Sequence, residues 1–196
     1  MLDDPRLIQL RRAFEGRVAA AAERAPGMKE AAVALVLRPQ AELELLVIRR
    51  AELQGDPWSG HVALPGGRRS RVDGDLVVTA CRETSEEVGV PLARVGNLIG
   101  ALDEVAPLTP RLPPIIIAPF VYAVPSGTTV QPDAREVQAA LWIPLSALRD
   151  TAALSEISVT ASGATWTVPS LVYGDYVIWG LTYRVLQQFL EVAGSA

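Results

Sequence analysis

The sequence predicts an α/β protein in which a mixed β-sheet is flanked by helices. Two observations carry that prediction. Short β-branched or leucine-rich runs alternate with helical stretches, yet without the strict strand–helix–strand rhythm that a doubly wound parallel sheet needs. The composition is 49% hydrophobic and 20% charged over 196 residues, which is enough apolar material for a sizeable core and places the chain in one domain, residues 1–196.

The chain opens on Leu7, Leu10, Phe14 and Val18, whose spacing predicts an amphipathic helix over about residues 4–25 that stops near Pro26 and Gly27. Residues 31–37 and 43–48 read as adjacent strands around a polar turn. Residues 55–74, rich in Gly, Pro, Asp, Ser and Arg, read as a long loop with a brief extended piece at 62–64; loops of this length in compact domains usually carry function. Helix signals then dominate residues 75–88, where Val77, Ala80, Cys81, Thr84 and Val88 form a stripe and Gly89 is the stop. Strands are predicted at 95–102, 114–124 and 140–143, with a helical turn at 144–149 and a hairpin around Ser162 and Gly163. A C-terminal amphipathic helix over about residues 175–192, with Trp179, Leu186 and Leu190, completes the prediction.

Charge narrows the functional classes. At a net charge of −4 there is no global positive field to hold nucleic acid or an anionic membrane, so a polyanionic ligand has to be managed locally, by a recruited cation. The single cysteine, Cys81, excludes an internal disulfide and fits a reducing interior, so a cytoplasmic location is expected. Residues 1–23 carry charges and no apolar run, and so read as neither a signal peptide nor a transmembrane helix.

Glu83, Glu86 and Glu87 stand at i, i+3 and i+4, which places three carboxylates on one helix face turned away from the apolar stripe. Like charges at that spacing destabilise a bare helix unless water screens them or a hard cation such as Mg²⁺ or Mn²⁺ takes the oxygens as ligands. Upstream, Gly66 and Gly67 permit close backbone approach, Arg82 adjoins Glu83, and Asp73 follows Gly67 by six residues.

This ordered set resembles the signature of the Nudix hydrolases: a glycine, a spaced acid, then Arg82-Glu83-Thr84-Ser85-Glu86-Glu87-Val88-Gly89-Val90. Asp73 stands where glutamate is usual, eight residues separate it from Arg82, and Thr84 replaces an aliphatic residue. A longer gap with an aspartate also resembles the coenzyme A diphosphatase subgroup. So do Arg49-Arg50, Gly60-His61-Val62-Ala63-Leu64-Pro65-Gly66-Gly67 and Trp179-Gly180-Leu181-Thr182-Tyr183-Arg184, with His61, Leu64 and Ser70 departing from the subgroup's glutamine, phenylalanine and aspartate.

The resemblance implies an α/β/α sandwich that hydrolyses a diphosphate linkage in a small nucleotide-like substrate, coenzyme A or acyl-CoA leading, with Mg²⁺ or Mn²⁺. Hydrolysis of another derivative such as ADP-ribose, or nucleotide sensing without turnover, is the alternative. Glu83, Glu86 and Glu87 are the implied metal ligands, one of them orienting or deprotonating water, with the Gly67 carbonyl as a further ligand. Arg82 supports the site by pairing with Asp73. Glu136 is a candidate base or ligand, equally a solvated loop acid, and Glu104 is a weaker candidate. Arg49 and Arg50 can meet phosphate oxygens or be ordinary strand-end arginines. His61 is assigned to a substrate contact or a structural hydrogen bond, Trp58 to base stacking or loop packing, Cys81 to the core, and residues 179–184 to packing or a dimer surface. Related proteins are often homodimers.

Overall fold

The structure, a computed structural model, describes residues 3–55, 58–107, 114–161 and 164–194. Helix α1 (Pro5–Phe14) starts at an Asp4 cap whose side chain accepts from the Arg6 amide, and buries Leu7, Leu10 and Phe14. It is shorter than the predicted 4–25. Gly16 turns the chain with φ +73°, and Val18, counted in the apolar stripe, is 89% exposed. Beyond it the Ala20 and Ala22 amides donate to the carboxylates of Asp103 and Glu104, both at 2.8 Å. Arg17 and Arg24 pair with the same two acids. Side-chain acceptors from a distant loop thus replace the carbonyls a helix would have supplied.

Among the described residues the main sheet has seven strands. β1 (Lys29–Pro39) is central, running parallel to β6 (Ile115–Ala123), which pairs antiparallel with the edge strand β5 (Asn97–Ala101). On its other side β1 meets β2 (Leu43–Arg50) through Leu37–Pro39, and β2 pairs antiparallel with β7 (Val137–Pro144). The sheet is therefore mixed, as predicted. Alternation divides its side chains between two cores. Leu35, Leu37, Leu45 and Val47 face α1 and the C-terminal helix α5 (Gly180–Gly194); Ala32, Ala34, Val36, Leu46 and Ile48 face α2 (Leu76–Val88). This is the α/β/α sandwich.

Away from the Leu37–Pro39 contact β1 and β2 diverge, and one segment fills the gap between them. β3 (Val62–Ala63) pairs with Ile48 and Arg49 of β2, while β4 (Gly66–Arg68) pairs with Ala31–Val33 of β1. The glycine-rich stretch read as loop is thus partly sheet, because two free strand edges capture its backbone. After α2, capped by Asp75 and closed by Gly89 at φ +68°, the short helices α3 (Leu92–Val95) and α4 (Leu145–Arg149) make corners.

β8 (Leu154–Ala161) and β9 (Ala164–Tyr173) pair antiparallel where a hairpin is predicted, and residues 162–163 lie outside the described residues. The C-terminal helix begins later than the predicted 175. Tyr176–Trp179, β-branched and aromatic, form strand β10 against β9, and α5 starts at Gly180 with φ +66°. Among the described residues no helix is long and apolar enough to cross a membrane.

Candidate active site

The segment that bridges β1 and β2 forms one wall of a cleft of about 570 Å³. Glu83 and Glu87 reach it from α2, Glu136 from the turn before β7, Arg50 from the end of β2, and Gly66, Gly67 and Arg68 from β4. The apolar side chains of Val33, Leu64, Ile117, Leu181 and Val185 line the same cleft. Acid and apolar surface therefore meet in one cavity.

Glu87 is the most constrained acid. It is 2% exposed, and its Oε2 accepts a 2.8 Å hydrogen bond from the Gly66 amide while Arg50 Nη1 stands 3.9 Å from Oε1. Burial pushes its carboxyl up to about 8; the Gly66 bond and the Arg50 charge oppose that rise, and the charges of Glu83 and Glu136 add to it. Glu83 is raised in the same direction, first by burial, against the pull of Arg82. Since the folded protein holds a proton on Glu87 that the unfolded chain releases near pH 4.5, this group's contribution is full below that pH and lost as pH rises to about 8. Chemical denaturation across pH 5–8 is expected to show this loss, and Glu87→Gln is expected to flatten it; an equal slope in both proteins would remove Glu87 as its source.

The two glycines fit this packing closely. At Gly66, with φ +151°, an added Cβ would overlap the Ala32 carbonyl and lie 2.6 Å from Val33 Cα. At Gly67 it would overlap the Glu83 carboxylate.

Arg82 clamps the loop that precedes α2. Its Nε and Nη2 meet Asp73 at 3.0 and 2.9 Å, the Arg68 carbonyl accepts at 3.1 Å, and Glu83 and Glu86 both pair with it at 2.8 Å. Asp73 also accepts from the Ser70 amide and the Thr79 hydroxyl, and the Arg82 fork holds its carboxyl well below the usual range. The eight-residue spacing is therefore compatible with a closed clamp. Thr84, buried where an aliphatic residue is usual, satisfies its hydroxyl on the Ala80 carbonyl at 2.7 Å.

A model of the NUDIX domain matches residues 28–162. The chain belongs to the NUDIX family. Nudix hydrolase NudL of Photorhabdus laumondii is 30% identical over 157 residues, 80% of each chain. An uncharacterised protein of Schizosaccharomyces pombe is 37% identical over 123 residues, 61% of this chain but 37% of that protein's length. In fold, a MutT/nudix protein from Enterococcus faecalis covers 96% of this chain and 74% of its own at a TM-score of 0.56 and 15% identity. A C. elegans Ap4A hydrolase covers 61% and 82% at 0.51 and 20%. This Nudix chain is thus a hydrolase of pyrophosphate bonds.

The Nudix glutamates do not share one environment. Glu83 and Glu87 line the cleft, whereas Glu86 has a side chain 56% exposed and spends its carboxylate on Arg82. The glutamate face is not uniformly open to water, because β4 covers α2 at Glu87 and offers it an amide. Arg50, Trp58, His61 and Glu136 also line the cleft; Arg49 does not. Glu104 is drawn to Arg24 and the Ala22 amide. Trp179–Thr182, read as packing or dimer surface, forms a cleft wall, with the Trp179 ring 4.7 Å from that of His61. Ile115, Ile117 and Leu53 had no sequence signal, since apolar strand and loop residues look alike whether they line a core or a cleft. Cys81 packs near the sheet, 3.3 Å from the Tyr122 hydroxyl.

Nudix hydrolases in general use divalent metal ions, and the donors here suit a hard one. Glu83 and Glu87 are oxygen ligands whose burial and mutual repulsion a cation would relieve, and the Gly67 backbone lies against Glu83. Among the described residues no three acidic, histidine or cysteine side chains close into a ready cage.

Proposed function

We propose that the protein cleaves the diphosphate linkage of a nucleoside diphosphate derivative, with Mg²⁺ or Mn²⁺ as cofactor and coenzyme A or an acyl-CoA as leading substrate. The observation that carries this reading is the pair of carboxylates, buried Glu87 and largely covered Glu83, held beside Gly66 and Gly67 in a cleft that apolar side chains also line. Such a cleft suits a molecule with a charged middle and a less polar arm.

A diphosphate resists attack because its charge repels the nucleophile. When bound, the divalent ion neutralises those oxygens and acidifies water. Glu83, Glu87 and the Gly67 carbonyl are the groups of this chain that would hold it, with Glu86 joining once it leaves Arg82. One of these glutamates orients or deprotonates the attacking water. Arg50 presents a guanidinium to phosphate oxygens, and Trp58, His61 and Trp179 offer rings on which a base can stack. Glu136 adds negative charge felt by both Glu83 and Glu87, as a second base or ligand would. A cytoplasmic setting is part of this proposal, carried by the lone cysteine.

The test is product analysis over a panel of diphosphates with Mg²⁺ and Mn²⁺. Coenzyme A is expected to yield adenosine 3',5'-bisphosphate and a phosphopantetheine. Turnover of ADP-ribose, a nucleoside triphosphate or a dinucleoside polyphosphate with none of coenzyme A rejects the narrower substrate. Ligand binding without turnover under either metal would instead describe a sensor.

A further inference from the structure

We infer that a second copy of this chain pairs antiparallel along the free edge of β8, joining two three-stranded sheets into one of six strands about a two-fold axis at Ser158. The sheet order β10-β9-β8 leaves one edge of β8 without a strand partner among the described residues. Natural edges are usually blunted by Pro, Lys, bulges or short length. β8 uses none of these: it is eight residues long, Leu-Ser-Glu-Ile-Ser-Val-Thr-Ala, unbroken in its register with β9 and carrying one charge, Glu156.

The hairpin also runs out past the body that should support it. β10 covers β9 at Ser170–Tyr173, so the pairs from Pro169 to the tip have no third strand. A two-stranded ribbon is marginal in water by itself. One face of this ribbon nonetheless is apolar, with Ile157 opposite Val168 and Val159 opposite Trp166, the latter 40% exposed.

The strand's own sequence says what completes it. In an antiparallel pair, residues directly opposite share a face, so self-pairing has to set apolar against apolar. Pairing about Ser158 does so: Ile157 meets Val159 of the second copy, Val159 meets Ile157, and Glu156 meets Thr160, with no like charges opposed. Moving the axis to Ile157 sets Val159 against Ser155 and weakens the match. The two-fold consumes the β8 edge of each copy, and an isologous contact of this kind closes at two copies.

Sedimentation of the full chain over a concentration series tests this, with two charge variants at positions exposed in the single chain. The parent is expected to dimerise. Ser158→Lys sets two ammonium groups face to face on the axis and is expected to weaken association by roughly tenfold or more while diphosphate hydrolysis and the circular dichroism spectrum persist. Thr160→Lys faces Glu156 of the second copy twice and is expected to tighten it roughly threefold to tenfold. A parent that stays monomeric throughout, larger open-ended assemblies, or a dimer that neither variant shifts would each overturn the inference.

Discussion

Glu87→Gln is expected to lower kcat by roughly 10²- to 10⁴-fold, the usual worth of a positioned proton-transfer or metal-binding carboxylate, while leaving the fold intact. Glutamine keeps the shape of the side chain, and its carbonyl oxygen can still accept from the Gly66 amide that now meets Oε2 at 2.8 Å. At pH 7 the loss of charge costs little, because burial already pushes this carboxyl up to about 8. Activity and stability should therefore separate. The measurement is single-turnover product formation with Mg²⁺ beside thermal unfolding of the same samples. Near-parent kcat removes Glu87 from the chemistry; a collapsed Tm would show instead that the site's acid holds the fold.

Gly66→Ala should have the largest effect on stability, because two penalties coincide there. The backbone at φ +151° is one that residues with a Cβ rarely adopt, at a cost of roughly 1–3 kcal/mol. The new methyl would also overlap the Ala32 carbonyl and press on Val33, at the register where β4 and β1 pair. Overpacking adds about 1–3 kcal/mol. Together, about 3 kcal/mol or more lowers Tm by roughly 10 °C in a chain of this size. Gly67→Ala is the informative comparison. Its methyl meets the flexible end of Glu83 instead of backbone, so it should cost turnover more than Tm. Equal melting temperatures for Gly66→Ala and the parent would refute the steric account.

The legible parts of the fold were those in which local pattern and tertiary demand agree. α2 was readable because its apolar spacing and Gly89 both point to one helix, and the structure uses both, adding a cap by Asp75. The ends of the chain were less so. Val18 continues a helical stripe in sequence, yet Asp103 and Glu104 capture the amides beyond it from more than eighty residues away. Tyr176–Trp179 carry strand propensity inside a helical pattern, and the open edge of β9 decided between them.

The same division runs through the site. From sequence alone come the mixed α/β class and the ordered acid-and-glycine signature, since both depend on residue order and spacing, together with the recognition that a net charge of −4 leaves any phosphate ligand needing a local cation. The tertiary structure alone decided that Glu87 is buried and Glu86 exposed, that Arg50 and not Arg49 reaches the cleft, and that Trp179 walls it opposite His61. Helical spacing places side chains on a face, but whether that face meets water, an amide or another carboxylate depends on strands far away in the chain. Burial is a property of those neighbours, and it is burial that pushes the Glu87 carboxyl up to about 8.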